Sequence, residues 1–91
     1  MKFDNKLILK TPKIKVKIKD GNTVCLCLIE KGFKPNYNNN NIDGHFLYLN
    51  VIHKVFTILD NRKEFNNLNQ YQEVFYKDFN KILEENYEIQ Q

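Results

Sequence analysis

The chain reads as an α+β fold, a small antiparallel sheet of three or four strands packed by one or two helices in the order β-α-β-β-(β)-α. Three observations predict it. Lys13-Ile14-Lys15-Val16-Lys17-Ile18-Lys19 alternates lysine with β-branched residues, the pattern of a strand with one buried and one solvated face. Glu30-Lys31-Gly32-Phe33 is a helix-stop signal, with a glycine placed where a left-handed residue ends a helix and a phenylalanine behind it. Phe79, Ile82, Leu83 and Tyr87 fall on one helical stripe. The length of 91 residues predicts one α+β domain over 1–91, with 1–12 weakly structured or an edge strand and 35–44 an Asn-rich loop.

Element by element, a weaker strand over Lys6 to Lys10 precedes the lysine comb, and Pro12 separates the two or marks an edge bulge. Asp20-Gly21 ends the comb. Asn22 to Phe33 then supports two readings. After an Asp-Gly turn, TVCLCLI suits a hairpin return strand, whereas Asn22 as N-cap and Gly32 past the end suit a helix. The Asn-rich loop follows. His45 to Leu49 and Lys54 to Leu59 predict two strands joined by a turn at Asn50 to His53, because their aromatic and β-branched content outweighs a weaker helical spacing. Asp60 to Gln70 reads as a second polar loop and Tyr71 to Tyr76 as a short fourth strand. The last helix spans Asp78 to Tyr87, capped near Lys77 and Asp78.

Composition bounds the function more than it identifies it. Fourteen Asn and thirteen Lys stand against one Arg, with no Ala, Ser or Trp, a bias that follows the codons of an AT-rich genome. The longest apolar run, Val24 to Ile29, has six residues, far short of the ~20 that span a bilayer. No membrane association is expected, and the Lys-rich start lacks the apolar stretch of a secretory signal. The closely spaced Cys25 and Cys27 point to a reducing compartment, the cytoplasm of the host cell. Charge is laid out unevenly: residues 1–19 carry seven Lys and one Asp, residues 73–91 five acids and two Lys.

The lysine comb is the first candidate site. Same-face residues on a strand recur every ~6.6 Å, about twice the ~3.4 Å rise per nucleotide along one B-form strand. Lys13, Lys15, Lys17 and Lys19 are therefore candidates for binding a partner or a polyanion. A solvated strand that discourages edge-to-edge pairing explains the same pattern, and one Arg is a poor inventory for bidentate phosphate recognition. Cys25, Cys27, His45 and His53 are the only metal-like set. Their single-residue Cys spacing, inside the most apolar run, predicts buried, reduced, metal-free thiols. His53, with Asp43, Asp60 or Glu64, forms no spaced catalytic set, and Glu84 and Glu85 read as solvated. No catalytic residue, metal or cofactor is expected, and the chain reads as a non-enzyme. The aromatics exceed what so small a core can hold, so some should form a partner surface, with Tyr37 and Tyr48 as candidates.

From Glu30-Lys31-Gly32-Phe33-Lys34, through the strands at Phe46–Leu49 and Val55–Ile58, to Val74-Phe75-Tyr76-Lys77-Asp78-Phe79, the chain resembles small accessory proteins of bacteriophages and mobile elements. It departs from their pattern at Pro35, where Trp is common, and in the β-rich body of the first helix. The resemblance implies an anti-defence role, of the anti-CRISPR or a related type, and carries over no functional residue. It predicts an inhibitor or modulator that occupies a surface of a host protein or nucleoprotein complex. The alternative is a protein that binds nucleic acid or a signalling nucleotide along Lys13–Lys19.

Overall fold

The computed structural model describes residues 5–38, 40–63 and 70–90. Phe65, one of the chain's aromatics, Glu64, considered as a histidine partner, and most of the second polar loop lie outside them. The elements are β1 (Leu7–Leu9), β2 (Lys13–Lys17), α1 (Gly21–Glu30), β3 (Lys34–Pro35), β4 (Phe46–Asn50), β5 (Val55–Leu59) and β6 (Gln72–Val74). A 3-10 turn (Tyr76–Asp78) then leads into α2 (Phe79–Leu83), and β7 (Tyr87–Ile89) follows. The fold class is α+β as expected, but the sheet is mixed.

Five strands form the main sheet in the order β3-β5-β4-β2-β6, with β2–β4 and β4–β5 antiparallel and the two outer pairings parallel. β1 and β7 form a separate parallel pair. The expected purely antiparallel sheet is thus corrected. β6 enters after a long excursion from β5, and arrives beside β2 pointing the same way. β1, expected to be weak or an edge, carries Leu9 fully into the core. Gln72 fastens it there: its side-chain oxygen accepts from the Lys10 N–H at 2.6 Å and its amide donates to the Ile8 carbonyl at 3.2 Å.

The comb explains the sheet's two faces. Ile14, Leu49 and Phe56 stand in one cross-strand row and Val16, Leu47, Ile58 and Val74 in the next, all buried. Helices α1 and α2 contribute Val24, Leu28, Phe79 and Ile82 to the same core cluster. Each such side chain stabilises the fold by roughly 1.5–3 kcal/mol when fully withdrawn from water. That strongly outweighs the weak helix propensity of any one segment.

The ambiguous stretch Asn22–Phe33 is helix, and the ends decide it. Asp20, not Asn22, is the N-cap; its carboxylate accepts from the N–H groups of Asn22 and Thr23. At the other end Gly32 adopts φ 93°, its N–H donates to the Ile29 carbonyl, and Phe33 N–H donates to Leu28 at 2.9 Å. This is a Schellman ending with Phe33 buried behind it. The last helix is shorter than its stripe predicted. It stops at Leu83, Glu85 takes φ 58°, and Tyr87 belongs to β7 instead.

The Asn-rich segment is less a free loop than a border. Asn36 N–H donates to Phe56, Asn41 N–H to Ile58, and the Ile58 N–H donates to the Asn40 side-chain oxygen at 2.8 Å. Part of the outer edge of β5 is satisfied by this segment, through the backbone N–H groups of Asn36 and Asn41 and the Asn40 side chain.

Candidate partner-binding face

Opposite the helices, the second face of the sheet carries the comb. Strand register sets three rows. Lys13 stands beside Asn50 and Val55; Glu73, Lys15, Tyr48 and Thr57 form the middle row; Lys17 lies beside Phe46 and Leu59. β2 is an interior strand, flanked by β4 and β6, so its lysines are presented on a face and not along an edge.

The lysines are not equivalent. Lys17 and Lys19 are exposed, whereas Lys13 and Lys15 are half-buried. Lys13 Nζ lies 5.9 Å from the centre of the Tyr71 ring, within cation–π reach. Glu73 stands beside Lys15 in register. Only the Lys17–Lys19 end of the comb projects fully into solvent.

The two aromatic candidates diverge. Tyr37 is 86% exposed and Tyr48 only 4%. Tyr48 packs in a small cluster with Phe46, Leu59 and Tyr71, its ring edge-to-face with Tyr71 at 5.4 Å between centroids. Its burial corrects the expectation that it offers a free partner surface. The exposed aromatics that the sequence reading did not single out are Phe75, 67% exposed, and Tyr76, 52% exposed. Val74 pairs with Val16 on the core face, so alternation turns the next residue, Phe75, toward the comb face just past the last paired position. Lys77 Nζ lies 5.8 Å over the Phe75 ring, and Tyr76 stacks on the buried Phe79. Weak alternation along the short strand expected over Tyr71–Tyr76 is the signal that could have found Phe75.

Cys25 is buried, and burial pushes its thiol pKa up. Cys27 is half-exposed, which corrects the expectation of two buried thiols. His45 and His53 are both exposed, one before β4 and one in the turn after it. Among the described residues no three His, Cys, Asp or Glu groups gather within reach of one metal ion.

Concavities formed by the described residues border the sheet. One, about 260 Å³, has Phe33, Ile82, Leu83 and Tyr87 as walls, with Lys54 and Glu85 at 3.7 Å from each other across it. Both of those residues have positive φ, 56° and 58°. Burial, and then the Glu85 charge, raises the Tyr87 phenol pKa. The ion pair is largely solvated and is worth little to stability. Another concavity, about 280 Å³, lies on the comb face between Tyr48, Tyr71, Asn36, Asn50 and Thr57. Among the described residues no helix is long and apolar enough to cross a membrane. No protein-family model, curated protein or solved structure matches the chain.

Proposed function

We propose that the protein works by occupying an acidic surface of a partner protein, through Phe75 and Tyr76 bordered by Lys17, Lys19 and Lys77. The observation that carries this reading is the pair of consecutive, exposed aromatic rings at the one end of the comb where lysines reach freely into solvent. Interfaces bury aromatic anchors at their centre and keep charge at the rim. A rim of lysines steers an acidic partner and raises the association rate more than the affinity. Inhibition of a host defence complex by such coverage agrees with the pattern shared with small phage and mobile-element proteins. No cofactor or chemical step is part of this role.

Direct grip on nucleic acid is the lesser reading. Four phosphate contacts would give a slope of log K against log salt of about −3.6 on duplex. With Lys13 at the far, Tyr71 end of the comb and Lys15 half-buried, the exposed end offers an extended backbone about two contacts, and half that slope.

A photo-cross-linking residue placed at Tyr76 tests the proposal in host cells. Cross-links to one acidic protein, absent from a control probe at Glu88, support it. Equal labelling from both positions, or recovery of nucleic acid alone, overturns it.

A further inference from the structure

The concavity on the comb face has features the docking role does not use. It lies at the Lys13 end of the sheet, while Phe75 follows Val74, the partner of Val16, toward the other end. Its aromatic wall is the half-buried Tyr71 ring, which stands at 82° to Tyr48, itself 4% exposed and closing the floor. A planar ligand laid against the Tyr71 ring would gain an offset-stacked aromatic contact. The cavity is of about 280 Å³, just under the usual ~300–1,000 Å³ of small-molecule clefts, so it holds one ring system and little more.

The polar lining is rich in donors. Asn50 Oδ1 accepts from the N–H groups of Ile52 and His53, at 3.0 and 2.9 Å. Asn36 Oδ1 accepts from the Asn38 N–H at 3.2 Å. These bonds use the amide oxygens and leave the amide nitrogens to donate. The Thr57 hydroxyl adds a donor or acceptor on the same wall. Lys13 is not part of the wall, but it stands across from Asn50 in register and its ammonium lies 5.9 Å from the Tyr71 ring centre, so it neighbours two wall residues. A stacking surface, amide donors and one neighbouring cation together match a base with carbonyl oxygens and an attached phosphate.

We propose that this pocket binds a nucleobase carrying a phosphate, with the ring against Tyr71, base carbonyls facing Asn36 and Asn50, and the phosphate on Lys13. The reading is independent of the Phe75–Tyr76 docking patch, and either can fail alone.

Calorimetric titration of the full chain with UMP, GMP, uridine, guanosine, inorganic phosphate and a uridine hexanucleotide tests it. Saturable binding is expected for the nucleotides, about tenfold or more tighter than for the nucleosides, the worth of one charge-assisted contact. Lys13→Gln should erase that gap while nucleoside binding persists. Tyr71→Leu should remove binding of both, with an unchanged circular dichroism spectrum. A hexanucleotide no tighter than UMP makes a free nucleotide the ligand; one more than about tenfold tighter assigns the pocket to a base within a single strand. No saturation at millimolar UMP or GMP, survival of binding in Tyr71→Leu, or phosphate alone binding as well as UMP would each overturn the proposal.

Discussion

Helix α1 runs for ten residues through Thr, Val, two Cys and Ile, all poor helix formers, whereas α2, with the cleaner amphipathic stripe, stops after five. What separates them is their ends. α1 has a side-chain cap at Asp20 and a Schellman ending at Gly32, so its orphan N–H and carbonyl groups are satisfied locally. α2 has no side-chain cap bond at Asp78, and its C-terminal turn folds back through Glu85 at positive φ to deliver β7. One helix is specified by its termini, the other by the core residues beneath it and by the strand that follows.

Removing the packing beneath α2 should therefore cost the most. Phe79 is 3% exposed, and Phe79→Ala is expected to destabilise the protein by about 3–5 kcal/mol in urea denaturation. That is a large part of the 5–15 kcal/mol typical of a domain. A loss below about 1 kcal/mol would mean that α2 is held by its connections and not by its stripe.

The start of α1 should be the next most sensitive point. A Cβ on Gly21 would run into the backbone carbonyl of Ile42 and lie 2.8 Å from that of Gly44. Gly21→Ala should cost about 1–3 kcal/mol, the range for overpacking against atoms that cannot move aside. No loss would show that the Ile42–Gly44 backbone yields, and that α1 is positioned by its caps alone.

The smallest effect should be at the cap itself, and it should depend on pH. Bonds from the Thr23 hydroxyl, then the Thr23 N–H and the Asn22 N–H, hold the Asp20 carboxyl below its ordinary value. A depressed folded pKa adds stability above the unfolded pKa, and that stability is lost as pH falls through the folded one. Asp20→Ala should thus lower Tm at pH 7, with the gap from the parent closing as the pH is taken below the carboxylate range. A gap that stays constant with pH would assign the loss to something other than the ionised cap.

Much of this fold was legible because the signals were local. The lysine comb specified β2 and the face it buries, since period-two alternation admits one register against the core. Gly32-Phe33 marked the end of α1, and the paired strands at β4 and β5 followed from their composition. The candidate site was legible only in part. Lys17 and Lys19 point outward as the comb predicts, but nothing in the residues around Tyr48 distinguishes an exposed tyrosine from a buried one. Its side is set by alternation along β4, and the burial of that side by Tyr71 and Leu59, which come from other segments.

The sequence by itself determined the α+β class, the two faces of β2, the stop of α1 and the turn after β4, because each rests on periodicity or on neighbours a few residues apart. Only the tertiary structure decided that β6 joins β2 in parallel, that β1 and β7 pair outside the main sheet, and that α2 ends early to make β7. It also brought Asn50, Tyr48 and Tyr71 around one cavity and drew Lys13 over the Tyr71 ring. The reason is physical: these contacts join residues about 20 or more positions apart, and loop closure between distant segments depends on which surfaces remain to be buried, which no local pattern records.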